Sequence, residues 1–280
     1  MPPFRYVVAD VFTDQPLQGN QLAVFTDASG LPERLMQPLA REIGFSETVF
    51  VLPPAGEGHV RIRIFTPETE LPFAGHPMLG TAFVLAGPLQ LGAIGLETGV
   101  GVVPVELTRD ESGRVVFGRM SQPVPTWERV DEPGLLAALG VERSELPVEI
   151  YDNGVQHVYV ALPTRDAVAA LEPDWRSLVR LGLDGVNCFA GDGTSWKTRM
   201  FSALDGVGED AATGSAAGPL AVHLARHGRI PFGAEIEIEQ GAEISRPSRL
   251  YARVEGTPDR IERVEVGGSA VIVARGEFRL

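Results

Sequence analysis

Two stretches of this sequence resemble each other, and that likeness limits the available folds more than any other feature. In the first, Arg61-Ile62-Arg63-Ile64-Phe65-Thr66 alternates polar and apolar side chains. It leads to Glu70, then to Gly75-His76, then to a run of small and apolar residues ending at Gly87. In the second, Lys197-Thr198-Arg199-Met200-Phe201-Ser202 leads to Glu209, to Gly214-Ser215 and to a similar run ending at Gly228. In both, the Glu stands five residues before the Gly. A period of two reads as a strand, and small residues let a sheet approach a helix closely. The repeat therefore predicts an α+β fold of two pseudo-symmetric domains, each a set of strands with one apolar helix. It pairs Gly75-His76 with Gly214-Ser215 as two helix starts facing one another across a cleft, a common place for a small-molecule site.

The remaining pattern fits that frame. Strands are expected at Tyr6–Phe12, Leu22–Phe25, Phe45–Val51, Val60–Phe65, Ile94–Thr98, Val102–Leu107 and Val115–Met120. In the second half they are expected at Glu149–Tyr151, His157–Leu162, 187–190, 197–202 and four places between 234 and 274. Helices are expected at Pro32–Ile43, Met78–Ala86, Leu135–Leu139, Trp175–Leu181 and Ser215–His227. Pro77 suits a first helical turn, where its missing N–H costs nothing. Ser121 to Pro133, with Pro123 and Pro125, is the best linker, giving domains 1–120 and 121–280 with the C-terminal strand left free to return to the first.

Composition narrows the function. With 24 Lys and Arg against 37 Asp and Glu the net charge is −13, which argues against nucleic-acid and anionic-membrane partners. A local pocket can still take an anionic small molecule. One cysteine, Cys188, builds neither a disulfide framework nor a zinc cluster, and its apolar neighbours predict a buried, inert strand residue. The first residues carry no leader-like apolar run and no stretch is long enough to span a bilayer, so the cytoplasm is the expected location.

Four candidates carry chemistry. Glu209 to Gly218 places Asp210 beside the Gly214-Ser215 helix start, whose unpaired N–H groups attract a carboxylate or oxyanion. The competing reading is a capped, tightly packed helix with Thr213 or Ser215 as N-cap. Glu47 alternates onto one face with Phe45, Val49 and Val51, where a carboxylate is either partnered or has a raised pKa. His76 at a helix start would be held neutral near pH 7 by the helix dipole. Other motifs fail. No Gly-x-Ser-x-Gly surrounds Ser46 or Ser215, and Gly206-x-Gly208-x-x-Ala211 lies in a late acidic loop instead of an opening βαβ unit. His223 and His227 have zinc-ligand spacing, but Leu224 stands where a metalloprotease needs Glu, and Arg226 with His227 better complements the helix C-terminus. His59 and His157 are assigned to a solvated loop and a strand face.

These segments resemble the PhzF family of phenazine biosynthesis, in the diaminopimelate-epimerase-like superfamily. The likeness rests on Gly19-Asn20 with Ala23-Val24-Phe25, Ser46 to Phe50, Thr66-Pro67 through Glu70 to Pro77, and Glu209 to Ala216, and it runs essentially end to end. Tyr151-Asp152-Asn153-Gly154 with His157-Val158, and Gln240 to Ile244 with Arg246-Pro247-Ser248, are closest to the phenazine-pathway branch. The resemblance implies two domains, each a mostly antiparallel sheet curled around a central helix, a homodimer, and cofactor-free isomerisation of trans-2,3-dihydro-3-hydroxyanthranilate. It puts Glu47 at the acid–base position and His76, Asp210 and Ser215 at pocket positions. Superfamily racemases carry a cysteine at each helix start, but the corresponding places here are Gly75-His76 and Gly214-Ser215, so two-thiol racemisation is excluded.

The expected mechanism is a proton shift. Glu47 takes a proton from C3 and returns it at C1, with Asp210, His76 and the Gly75 N–H positioning polar groups and stabilising charge. Ser215 and the Gly214 helix start hold the substrate carboxylate, with Ser46 as a further contact and no metal. Two alternatives stay open: the same chemistry on another small amino or carboxylic acid, and a non-catalytic small-molecule binder on the same fold.

Overall fold

The computed structural model describes residues 3–131, 133–183, 185–203 and 208–280. The chain forms two compact units, residues 1–121 with 266–280 and residues 122–265. Gly206 of the discounted glycine pattern lies outside the described residues.

The first unit opens with β1 (Phe4–Val11) and β2 (Asn20–Phe25), then α1 (Met36–Ile43) and β3 (Glu47–Leu52). It continues with β4 (Val60–Phe65), the short β5 (Glu70–Leu71), α2 (Gly75–Leu89), β6 (Ala93–Thr98), β7 (Gly101–Arg109) and β8 (Val115–Gln122). α1 links the parallel pair β2–β3, and α2 links the parallel pair β4–β6, while the neighbouring pairs are antiparallel. Strand β3 is buried on both faces after its first residue, and its near-continuous apolar run ETVFVL reflects that. On one face Phe25, Phe50 and Phe65 pack with Met36 and Leu39 of α1, Phe25 stacking on Phe50 at 4.8 Å between ring centroids. On the other lies α2, in contact with β1, β2, β3, β6 and β7. Gly80 permits that approach, since a Cβ there would stand 2.6 Å from Leu22 Cδ2 and 2.7 Å from Val11 Cγ2.

The second unit contains β9 (Thr126–Arg129), α3 (Pro133–Leu139), β10 (Glu149–Asp152), β11 (Gln156–Ala161), α4 (Arg165–Ala169) and α5 (Trp175–Leu181). Then come β12 (Val186–Asp192), β13 (Ser195–Ser202), β14 (Gly208–Asp210), α6 (Gly214–Arg226), β15 (Glu235–Gln240), β16 (Ser248–Thr257) and β17 (Arg260–Gly268), within which the unit ends. Helices α3, α4 and α5 cover one face with a cluster that includes Leu139, Val168, Leu178, Cys188 and Phe201. The Cys188 thiol is fully buried there, and burial pushes its pKa far up, so it is inert. The final strand, β18 (Ala270–Phe278), returns to the first unit and pairs antiparallel with β1 along its length.

The pairing order repeats. The first unit runs β18-β1-β2-β3-β4-β6-β7 and the second β9-β10-β11-β12-β13-β15-β16, with β5 on β4 and β14 on β13. Parallel pairs fall at the same two places, β2–β3 and β4–β6 in one, β11–β12 and β13–β15 in the other. The likeness extends to side chains. Arg63 and Glu70 form a two-pronged ion pair at 2.7 and 2.7 Å, and Arg199 and Glu209 form the same pair at 2.8 and 2.7 Å. Each arginine also lies over a phenylalanine two residues on, Phe65 at 5.2 Å and Phe201 at 5.1 Å. Glu70 and Glu209 are thus structural, and each ties a short strand to the one before it.

The expected elements are present with shifted ends, and four differences have causes. The Ser121–Pro133 stretch holds the boundary between the units, at 121/122, but is not irregular throughout, because Thr126–Arg129 hydrogen-bonds to β10. Helix α2 runs through Gly87-Pro88 to Leu89 and ends at Gln90 with φ +55°, so that glycine–proline pair does not stop it. The short strands β5 and β14 carry too few residues for a periodic signal. Helix α4 is a single short turn capped by the Thr164 hydroxyl, which accepts from Ala167 N.

Candidate active site

Each unit carries its own cluster of candidate residues. In the first, Glu47 is the opening residue of β3, where the parallel neighbour Leu22 of β2 sets its depth. Its side chain is 13 % exposed, and its Oε2 lies 3.2 Å from Nε2 of His76, the second residue of α2. The two atoms approach closely without the alignment of a formed hydrogen bond, the state in which acid–base groups are commonly found before substrate tightens them. A polar chain backs the ring: the Ser46 hydroxyl donates to Asn20 Oδ1 at 2.9 Å, and Asn20 Nδ2 stands 3.2 Å from His76 Nδ1. Ser46 and Asn20 therefore orient His76 from behind. The imidazole is held neutral, its pKa pushed down to about 3 by burial, with a hydrogen bond to the Gln21 carbonyl opposing the shift. Neutrality was expected, and burial is its principal cause.

In the second unit, Asp210 ends β14 and is 5 % exposed. The Thr213 hydroxyl donates to its Oδ2 at 2.7 Å. Gln240 closes the loop, since its Nε2 donates to Asp210 O and Thr213 Oγ1, both at 2.9 Å, and its Oε1 accepts from Thr213 N at 3.1 Å. Thr213 stands at the N-cap but spends its hydroxyl on Asp210, so neither it nor Ser215 caps α6 through its side chain. Helix α2 likewise has no side-chain cap, its N-cap being Ala74. Neither helix start has a side-chain cap, and in α6 the Ala216 N–H turns back to Thr213 O at 3.1 Å.

Helix α6 is buried from Gly214 to Ala225, which requires partners for every polar group in it. Pro219 lacks the N–H that would bond to the Ser215 carbonyl, and Asn153 Nδ2 replaces it at 2.9 Å. Gln122 Nε2 donates to Gly214 O at 2.8 Å and the Tyr159 hydroxyl to Ala216 O at 2.6 Å. Ser215 itself is 6 % exposed, with its Oγ 2.9 Å from His157 Nε2. His157 is therefore not on a solvated strand face: it is buried, and burial pushes its pKa down to about 4.

The repeat shows what the second unit has in place of Glu47. Thr48 pairs with Phe65, and Val186 pairs with Phe201, so Glu47 corresponds to Gly185. Gly185 has φ +60°, and a Cβ on it would stand 2.7 Å from His157 Nδ1. The second unit thus fills with a buried imidazole the place where the first holds a carboxylate.

At the far end of α6, Arg226 lies in the last turn and His227 is the C-cap, and both side chains have a further partner. With His223 they converge on Oε2 of Glu149, at 2.8, 3.1 and 3.2 Å, and the Tyr151 hydroxyl joins at 2.7 Å. Burial works against the Glu149 charge, but these donors and the Arg226 charge outweigh it and hold the carboxyl well below the usual range. The His223, His227 and Glu149 atoms are spaced as metal ligands could be, yet the Arg226 guanidinium, stacked 4.1 Å over Trp127, already supplies the cation. His59 is an exposed loop residue whose Nδ1 accepts from Gly95 N at 2.9 Å. A cavity of about 480 Å³ in the first unit, lined by Phe83, Arg109, Arg114 and Val271 among others, includes neither Glu47 nor His76.

Asn20, Asn153, His157 and Gln240 stand in the segments that carry the family resemblance but are given no site role by the sequence, and Asn187 reads only as a strand residue. No helix is long and apolar enough to cross a membrane among the described residues.

The family model described as phenazine biosynthesis-like protein (PhzC-PhzF) matches residues 9–276. A trans-2,3-dihydro-3-hydroxyanthranilate isomerase of Pseudomonas aeruginosa is 54% identical over 277 residues, covering 99% of both chains. The crystal structure of a Bacillus anthracis phenazine biosynthesis protein of the PhzF family superposes with TM-score 0.87 at 26% identity, covering 100% of both chains. A hydroxyproline epimerase from Agrobacterium vitis superposes with TM-score 0.70 at 12% identity, over 99% of this chain and 91% of that one, a likeness of fold alone.

Proposed function

The chain belongs to the phenazine biosynthesis-like protein family, and from that membership and the Glu47–His76 geometry we propose that it is an isomerase acting on trans-2,3-dihydro-3-hydroxyanthranilate. The 54% identical relative named for that reaction supports the substrate. The observation that carries the chemistry is the Glu47 carboxylate, 13 % exposed and 3.2 Å from a buried neutral imidazole.

Glu47 takes the proton from C3 of the ring, the electron pair left behind spreads over the conjugated system, and the proton returns from Glu47 to C1. The double bonds shift, no atom is gained or lost, and no electron acceptor is needed. One carboxyl alternating between base and acid suffices when both carbons present the same face to it. With Asn20 Nδ2 donating to Nδ1, neutral His76 carries its proton on Nε2 and turns it toward the Glu47 carboxylate. Asp210, with the Gly75 N–H, positions the amino and hydroxyl groups, and Ser46 supports them from behind through Asn20 and His76. Ser215 and the Gly214 helix start hold the carboxylate with first-turn donors. The homodimer, which rests on the family resemblance, and the cytoplasmic location are part of the same proposal.

The test is incubation of the purified protein with the dihydro-hydroxyanthranilate while its absorbance is followed. Glu47→Gln keeps the shape and removes the base, and turnover should fall by about 10²–10⁴-fold with the fold unchanged. Near-normal turnover by that variant would sink the role of Glu47. In heavy water, deuterium at neither carbon together with retention of the C3 proton would refute the proton shift itself.

A further inference from the structure

We propose that His157 is a positioning residue that acts through Ser215: it donates a hydrogen bond to the Ser215 hydroxyl and leaves that hydroxyl's own proton for the anionic group at the start of α6. The inference rests on the carboxylate-holding role given to Ser215 above and adds a residue that sets its polarity.

Asn187 lies in β12. Its Nδ2 lies 2.8 Å from the Gly185 carbonyl, which identifies that atom as the amide nitrogen, because an oxygen there would face another oxygen. The same Nδ2 stands 3.4 Å from His157 Nδ1. An amide nitrogen only donates, so the imidazole nitrogen facing it carries a lone pair and not a hydrogen. His157 is 2 % exposed and neutral, with one ring proton to place. That proton is on Nε2, the atom 2.9 Å from Ser215 Oγ. Nε2–H therefore donates and Ser215 Oγ accepts.

A serine hydroxyl that accepts from one side retains its own proton to give. The opposite tautomer would draw the Ser215 proton into the ring and turn an oxygen lone pair toward an incoming carboxylate, which is repulsive. Gly185 protects the arrangement, since any Cβ there would intrude on His157 Nδ1 at 2.7 Å. Asn153 adds a second restraint by holding the Ser215 carbonyl at 2.9 Å, so the serine backbone cannot turn away. The order Asn187, His157, Ser215 thus aims a donor at the same helix start, which has no side-chain cap.

Two measurements test this. In the wild-type protein, ¹⁵N chemical shifts of the His157 ring should show Nε2 protonated and Nδ1 bare; the reverse assignment overturns the proposal without any variant. In kinetics, His157→Phe should raise KM about 10–100-fold, the range for one lost hydrogen bond serving a charged partner, with kcat within about threefold. His157→Gln, whose amide N–H can still reach Ser215, should restore KM to near wild type, which a purely structural role would not predict. In a Ser215→Ala background, His157→Phe should raise KM no further. An equal rise in both backgrounds overturns the relay. An unchanged KM for Ser215→Ala alone would overturn the carboxylate-holding role, and the positioning role with it.

Discussion

The paired arginine–glutamate bridges offer a controlled comparison of the same interaction at two depths. Arg63 and Glu70 are 24% and 42% exposed, whereas Arg199 and Glu209 are 9% and 9% exposed. An exposed bridge contributes about 0–1 kcal/mol, and Arg63 keeps a second carboxylate, Glu33, at 3.2 Å, so Glu70→Ala should cost at most about 0.5 kcal/mol. Removing one partner of a buried bridge costs about 3–5 kcal/mol, because the other charge is left without its counterion. Arg199 retains the Ala169 and Leu171 carbonyls at 3.0 and 2.7 Å, which places Glu209→Ala near the lower end, about 3 kcal/mol. Urea unfolding followed by circular dichroism reads both variants as midpoint shifts at unchanged slope. Glu209 precedes Asp210 directly, so its loss should also lower turnover, while Glu70→Ala leaves turnover intact. Equal stability losses in the two variants would refute the argument that burial, and not the shared geometry, sets the strength of this bridge.

Two further outcomes follow from groups near the helix starts. Asn153→Leu leaves the Ser215 carbonyl without a donor, since Pro219 cannot supply one, and should cost about 1–3 kcal/mol in the same unfolding assay together with a raised KM. Acid should destabilise the protein from about pH 6.5 downward. His76 and His157 have folded pKa values of about 3 and about 4, below their ordinary value, so between those limits the unfolded chain binds protons that the folded one refuses. Their contribution to stability is full above about pH 6.5 and is lost as pH falls toward the folded values, by up to roughly 1.4 kcal/mol per pH unit per group. Unfolding midpoints measured from pH 7 to pH 4 check the direction, and a rise in stability on acidification over that range would contradict it.

How much was readable in advance differs by kind of residue. Glu47, His76, Asp210 and Ser215 were legible because each sits at a marked position, a strand beginning or a helix start after Gly, and the structure places Glu47 with His76 and Asp210 beside the α6 start. The residues that hold them were not. Asn20 lies 56 positions from His76, His157 lies 58 from Ser215, and Asn153 lies 62 from it. Periodicity and capping rules act within a few residues, so they carry no information about which distant amide will meet a given carbonyl. Glu149 was read only as a strand residue for the same reason, although it gathers three side chains from the last turn of α6.

The helix start at Gly214-Ser215 shows the division most clearly. The sequence by itself determined that a helix begins there, that small residues let it be enclosed, and that a matching start exists at Gly75-His76. These are properties of neighbouring residues and of a repeat in order. Only the tertiary structure decided that Thr213 turns its hydroxyl to Asp210 instead of capping the helix, and that a buried imidazole meets Ser215. Only the register of β12 on β13 put glycine where the first unit has Glu47. Hydrogen-bond partners inside a core are chosen by competition among all groups brought within about 3 Å, and that set exists only once the sheet has closed around its helix.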